Sequence, residues 1–280
     1  MRSVVVSAQA DEAELAAEVL WSLGVVAIEE RHLEGGVVEL WTSVGEGDEG
    51  LDALGVAVAA RWPWRTVEVD ERVADTWRAH ATAIEIDDEL VVVPAWRDDL
   101  GVATDGGRVV LSIEPGSTFG LGDHPTTRTC LLALRREVAR RPGASVLDVG
   151  CGSGILSIAA VRFGAASAVA VDIAPAAVPI TNDNARRNGV EGALSVSTTP
   201  LQAVDGRYDV VVANILAPTL VELADELMAR VAPNGVLVIS GILAERHDHV
   251  LRALHLLEVT SVDVLEGWAT VSLEPVRRRA

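Results

Sequence analysis

Residues 145–160 read "SVLDVGCGSGILSIAA" and predict a β-strand that turns on glycines into an α-helix. Apolar residues continue to Val149, glycines occupy positions 150, 152 and 154, and a second apolar run follows. Glycine allows a tight turn and a close approach of a ligand to the backbone. The following helix directs its first amides toward that ligand. The stretch therefore predicts a ligand-binding turn at the end of a buried strand.

Strand-like and helical patterns alternate on both sides of this turn, from about residue 128 to the end, and the predicted helices include residues 129–141 and 217–231. Alternation of this kind predicts an α/β domain with a doubly wound, mostly parallel, Rossmann-like sheet. The closing segments "VTSVDVLEG" (259–267) and "WATVSLEPV" (268–276) predict an antiparallel hairpin at its edge.

Residues 1–72 form a separate pattern of strands and helices in the order βαββαβ, which describes a small ferredoxin-like α+β domain. This segment contains 15 acidic residues and 5 arginines, so it carries over half of the net charge of −18. It contains no catalytic motif, and we interpret it as a substrate-recognition domain. Residues 73–83 are predicted to form a helical connector, and residues 84–280 the larger domain.

The excess of acidic over basic residues indicates which kinds of macromolecule the protein can bind. Asp and Glu number 41 against 23 basic residues, every one of them Arg. This balance disfavours direct binding of nucleic acid, whose phosphates need a basic surface. It favours a basic protein partner, although an acidic surface that only confers solubility is equally compatible.

The hydropathy of the chain, the charge of its first residues and its two cysteines together predict a cytoplasmic protein. No apolar run approaches the roughly 18 residues of a membrane helix, and the early acidic residues do not suit a signal peptide. Cys130 and Cys151 lack metal-ligand spacing, so we expect reduced thiols and no metal site.

The glycine turn distinguishes between cofactors. A dinucleotide turn of the form G-x-G-x-x-G would need glycine where this chain has Ile155. A G-x-G-x-G turn two residues after an acid, here Asp148, instead resembles the S-adenosylmethionine turn of class I methyltransferases. Asp148 then suits the ammonium group of the ligand, unless it is a structural acid that bonds loop amides. Asp172 ends the next strand and suits the ribose hydroxyls, unless it caps the helix that follows.

Asn214 in "VVVANILAPTL" (210–220) lies at the carboxyl end of a predicted buried strand, where α/β sheets place their chemistry. Many amino-group methyltransferases have Asn or Asp at this point, usually followed by Pro-Pro and an aromatic residue. Here Asn214 matches that pattern, but Ile-Leu-Ala follows it, so no aromatic side chain is supplied beside the amine. Asn214 is the candidate catalytic residue, and a helix-capping role is the alternative.

With "FGLGDHPTT" (119–127), the glycine turn and "VVVANILAP" (210–218) in this order, the chain resembles the PrmA family, the bacterial methyltransferases of ribosomal protein L11. The resemblance implies methylation of lysine side chains and of the N-terminal amine of a ribosomal protein gripped by the N-terminal domain. It also implies that residues 114–128 fold over the cofactor as a lid. His124 in this segment is a possible polar contact or only a loop-bracing side chain. The cofactor-binding candidates are Phe119, Thr126, Thr127, Asp148, Gly150, Gly152, Gly154, Asp172 and Asn214.

Three other functions are compatible with parts of the sequence. The chain could methylate lysines of a different protein or a small molecule, or it could be a cofactor-binding scaffold without turnover, which the intact Asn214 opposes. A dehydrogenase is opposed by Ile155.

Overall fold

The computed structural model describes residues 2–10, 12–22, 25, 27–33, 35–43, 51–68, 81–100, 107–116 and 120–276. The chain divides into two compact units, Met1–Ala81 and Thr82–Ala280. Residues 73–80 of the predicted connector lie outside the described residues, and residues 81–83 are not helical.

The first unit is a four-stranded antiparallel sheet with two helices. The elements are β1 (Arg2–Gln9), α1 (Ala13–Ser22), β2 (Ala27–His32), β3 (Val37–Ser43), α2 (Leu51–Val58) and β4 (Trp64–Glu68). Strand β3 pairs with β1 and with β2, and β1 also pairs with β4, which gives the order β2-β3-β1-β4. Its core includes Val4, Val6, Leu20 and Leu40. The predicted ferredoxin-like fold is confirmed.

The second unit is built on a seven-stranded sheet. The strands are β8 (Ser145–Val149), β9 (Ser167–Val171), β10 (Leu194–Ser197), β11 (Tyr208–Asn214), β12 (Val231–Leu243), β13 (Leu257–Leu265) and β14 (Trp268–Pro275). They lie in the order β10-β9-β8-β11-β12-β14-β13. The first five strands in this order are parallel, and β14 runs antiparallel to both of its neighbours. The predicted doubly wound, mostly parallel sheet is confirmed.

The predicted hairpin lies at the edge, but the last strand is not the outermost one. Strand β14 inserts between β12 and β13, because residues 269–273 are buried on both faces of the sheet. Strand β13 is buried nowhere along its length and exposes Val259, Val262 and Val264, so it takes the edge position.

The helices of the second unit differ from the sequence expectation at two points. The predicted helix 217–231 is divided at Leu223, and the predicted helix 129–141 begins at Pro125 because His124 caps it. None of the helices in the described part of the chain is long and apolar enough to cross a membrane. The helices are α3 (Pro125–Arg140), α4 (Ile155–Arg162), α5 (Ala177–Arg187), α6 (Ala217–Glu222), α7 (Ala224–Arg230) and α8 (Asp248–Ala253).

A small three-stranded sheet precedes α3 in the chain. Its strands are β5 (Ile84–Asp87), β6 (Leu90–Pro94) and β7 (Val109–Ile113), with β6 and β7 parallel. Leu90, Val92, Leu111 and Ile113 are buried in the same core as residues of α3 and α4. The small sheet is therefore part of the larger unit, and β7 leads directly into the glycine-rich segment 114–124.

Candidate functional site

The glycine turn lies between the carboxyl end of β8 and the start of α4. Gly150, Gly152 and Gly154 have φ values of 75°, 53° and 78°, a region that side-chain-bearing residues rarely adopt. A Cβ atom at Gly150 would overlap Cγ2 of Ile215, and one at Gly154 would lie 2.6 Å from Cγ2 of Thr181. Glycine is required at both positions by backbone conformation and by space.

Asp172 follows β9 and is joined to the glycine turn. Its Oδ2 accepts a hydrogen bond from the Gly152 amide at 2.9 Å, and its Oδ1 accepts one from the Ala174 amide at 2.9 Å. The capping alternative does not hold, because α5 begins at Ala177 with Ala176 at its cap position. The carboxylate is partly exposed beside the turn, where a ribose could reach its remaining lone pairs.

Asp148 lies on β8 and is fully buried. Its Oδ2 accepts hydrogen bonds from the amide and the hydroxyl of Ser157 on α4, whereas its Oδ1 is buried and has no hydrogen-bond partner among the described residues. Burial raises the pKa of Asp148 to about 6, the Ser157 hydrogen bonds oppose this rise, and the Asp172 charge adds to it. The carboxylate therefore bonds the amide and hydroxyl of Ser157 on α4, as a structural acid would, and its second oxygen is left over.

Asn214 is the last residue of β11. The parallel neighbours β8 and β9 also have their carboxyl ends on this side of the sheet. Its Nδ2 is 3.5 Å from Oγ1 of the buried Thr127 on α3, which leaves its carbonyl oxygen Oδ1 as the acceptor. Asn214 does not cap the helix that follows, because Leu216 is at the cap position of α6. The next residue, Ile215, is the one that Gly150 must avoid, so Asn214 lies beside the glycine turn.

His124 caps α3. Its Nδ1 accepts a hydrogen bond from the Thr126 amide at 3.3 Å and lies 2.7 Å from Thr126 Oγ1. Its ring meets Trp268 edge-on at 5.2 Å between centroids. Burial lowers the pKa of His124, opposed by the charges of Asp123 and Glu266. The ring is therefore neutral at pH 7 and stabilises the start of the helix.

The segment 114–122 is attached to the glycine turn by residues that sequence reasoning did not select. Ser153 Oγ donates to the Gly120 carbonyl at 2.6 Å. Asn184 on α5 donates to the Ser153 and Glu114 carbonyls at 2.9 and 2.8 Å, and its Oδ1 accepts from the Glu114 amide at 3.0 Å. Both ends of the segment are thereby fixed beside the turn. The candidate Phe119, between these two anchors, lies outside the described residues.

Comparison with known proteins identifies the family. The family model described as "Ribosomal protein L11 methyltransferase (PrmA)" matches residues 64–275. The chain belongs to the PrmA family. This PrmA sequence is 45% identical over 214 residues to the ribosomal protein L11 methyltransferase of Citrifermentans bemidjiense, covering 75% of this chain and 69% of that protein.

Other relatives agree. The ribosomal protein L11 methyltransferase of Geotalea daltonii is 37% identical over 244 residues, which cover 80% of this chain and 77% of the relative. The crystal structure of a ribosomal protein L11 methylase from Lactobacillus delbrueckii subsp. bulgaricus superimposes with a TM-score of 0.62 at 31% identity. That match covers 70% of this chain and 98% of the other.

This member of the PrmA family is therefore a methyltransferase, and its cofactor is S-adenosylmethionine. The residues present fit that group. A buried anionic oxygen without a donor, at Asp148, suits a ligand that carries a sulfonium and an ammonium group. The two alternatives of a dehydrogenase and of a cofactor-binding scaffold without turnover are therefore wrong.

Proposed function

We propose that this enzyme methylates amino groups of ribosomal protein L11 in the cytoplasm, on lysine side chains and on the N-terminal amine. The observation that carries the proposal is the position of Asn214. Its amide ends a buried strand beside the glycine turn and is oriented by Thr127. An acceptor at this place suits a nitrogen nucleophile, and the relatives named above carry the name of this substrate.

In this proposal the cofactor lies over the glycine turn. Asp172 accepts the ribose hydroxyls, Asp148 faces the amino-acid end, and the backbone of Gly150, Gly152 and Gly154 approaches the ligand closely. Thr126 and Thr127 lie at the start of α3, and the Thr127 hydroxyl is 3.5 Å from the Asn214 amide. When bound, S-adenosylmethionine supplies a methyl group that is already activated for transfer.

The task that remains for the protein is to present a neutral amine. A lysine with a pKa near 10.4 is neutral about once in 2,500 at pH 7, a cost of about 4.6 kcal/mol, whereas an α-amine costs only about 1 kcal/mol. Burial in the site lowers the pKa of the amine. The Asn214 carbonyl oxygen then accepts one amine hydrogen and aligns the lone pair. His124 Nδ1 is occupied by Thr126, so we propose that water removes the proton.

The N-terminal unit is proposed to recognise the basic protein substrate. Two of its arginines are paired with glutamates: Arg61 with Glu12 at 2.9 Å, and Arg65 with Glu39 at 2.8 Å. The acidic residues of the unit outnumber its arginines, so its electrostatic potential stays negative after these pairs have formed. That field attracts a basic protein and accelerates its encounter with the enzyme, and the acidic balance gives no support to direct contact with nucleic acid.

The substrate proposal is tested by incubating purified ribosomal proteins with the enzyme and isotopically labelled S-adenosylmethionine. Intact-mass analysis is expected to show whole methyl increments on L11. Peptide mapping should place them on lysines and on the N-terminal residue. Label on another protein would transfer the proposal to that substrate, and a small-molecule acceptor would be indicated by turnover without protein labelling.

The role of Asp172 is tested by calorimetry. Asp172→Ala should weaken cofactor binding by roughly 1–3 kcal/mol, because the ribose hydroxyls and the Gly152 amide lose a charged acceptor. Asp183→Ala, which removes an exposed carboxylate from α5, is the matched control and should bind like the wild type. Equal affinity in all three proteins would remove Asp172 from the binding site.

A further inference from the structure

The two oxygens of Asp148 have opposite environments. Oδ2 accepts both hydrogen bonds of Ser157, from the backbone amide at 3.0 Å and from the hydroxyl, while Oδ1 has no partner in the part of the chain that the structure describes. Both residues are fully buried. A buried carboxylate oxygen without a donor is costly, so a site that retains one favours a ligand that supplies the missing charge.

The described groups around Asp148 do not supply that positive charge. Besides Ser157, the group that shifts its pKa is the carboxylate of Asp172, which is itself negative. The nearby thiols are Cys130 on α3 and Cys151 in the glycine turn, and burial raises the pKa of both, that of Cys130 to about 12. Both thiols are therefore neutral at pH 7, and the donors of Ser157 are what stabilises the ionised form.

We propose that Ser157 is a positioning residue that holds Asp148 ionised and reserves Oδ1 for the cationic amino-acid end of the cofactor. It follows that cofactor binding is coupled to proton release from Asp148. The inference concerns cofactor binding alone and does not depend on which protein is methylated.

The sign of the coupling follows from the two states of Asp148. Without ligand its pKa is raised to about 6, and a cationic ligand beside Oδ1 lowers it. The affinity for the cofactor is therefore at its maximum above pH 7, and it falls as the pH drops through the pKa of Asp148 in the free protein. Between the two pKa values it changes by about tenfold per pH unit. Near pH 6, binding releases part of a proton.

The test is isothermal titration of the full chain with S-adenosylmethionine from pH 5 to pH 8, in buffers that differ in ionisation enthalpy. Ser157→Ala removes one donor to the charged form and should move the pH midpoint of affinity upward by roughly one unit. Ser157→Cys keeps the size of the side chain but donates weakly. It should also move the pH midpoint of affinity upward. This variant therefore tests the role of Ser157 if the alanine variant does not fold.

Three controls separate this coupling from other effects. Asp148→Asn keeps the shape and should bind weakly at every pH, without proton release. Ser272→Ala, at a buried serine on β14, should leave the midpoint in place. His124→Asn removes the imidazole that caps α3, retains a good helix cap, and should also leave the midpoint in place.

A wild-type affinity that is flat from pH 5 to pH 8, with no buffer dependence of the enthalpy, would overturn the coupling. A dependence that persists in Asp148→Asn or disappears in His124→Asn would overturn it as well. Unchanged midpoints in both folded Ser157 variants would remove the positioning role of Ser157.

Discussion

Replacing Asn214 by alanine should lower the rate of methyl transfer by about 100-fold or more while cofactor affinity stays within severalfold of wild type. The cofactor is proposed to lie on the glycine turn and on Asp172, neither of which the substitution changes. What is lost is the acceptor that aligns the amine, and a small misplacement of reacting atoms is enough to reduce the rate by this factor.

The measurement is a single-turnover assay, with cofactor affinity determined separately by calorimetry. Asn214→Asp keeps an acceptor oxygen at nearly the same position and should retain more activity than the alanine variant. Thr127→Val removes the hydroxyl 3.5 Å from the Asn214 amide and should lower the transfer rate by a smaller factor. If the alanine variant transferred methyl groups at the wild-type rate, Asn214 would not align the amine.

The second large effect concerns the N-terminal unit. A chain that begins at Thr82 should bind S-adenosylmethionine normally but lose about 100-fold or more in kcat/KM on intact L11, since capture by the first unit raises the local concentration of the target amine. Cofactor binding is expected to survive because each unit has its own core. The first is built from residues between Val4 and Trp62, and the second from residues between Ile86 and Leu273.

The same truncated chain should methylate a short lysine peptide as well as the full chain does. The preference of the full chain for intact L11 should decrease with salt, because charges more than about 8–10 Å apart are screened at physiological ionic strength. If the first unit only stabilises the second, truncation would impair cofactor binding and peptide methylation equally. Full activity of the truncated chain on L11 would eliminate the recognition role.

Several features of the site were predictable from short stretches of sequence because their cause is local. Gly150 and Gly154 stand where φ is positive, and only glycine adopts that conformation at little cost. Asn214 follows a continuous apolar run, and such a run marks a buried parallel strand whose carboxyl end carries the chemistry. The βαββαβ order of the first unit was likewise readable from apolar periodicity.

Other predictions were incomplete because the deciding contact is between elements. The break at Leu223 and the start of α3 at Pro125 both shifted predicted helix boundaries. In the case of α3 the cause is the His124 side chain, which the sequence suggested as a ligand contact or a loop brace but not as a helix cap. The position of β14 inside the sheet depends on what covers its two faces, and that burial is a property of the assembled layers.

The sequence by itself determined the two fold classes, the glycine turn, the acidic residues beside it and the family. These depend on backbone conformation and on periodic burial, which neighbouring residues encode. Only the tertiary structure showed that Asn184 holds Glu114, 70 residues away in sequence. It also showed that Ser157 satisfies one oxygen of Asp148, while no described residue bonds the other. An Asn or Ser within a helix has no distinguishing local pattern. Its role arises when the fold brings a distant carbonyl or carboxylate within hydrogen-bonding distance, where burial makes each satisfied or unsatisfied group significant.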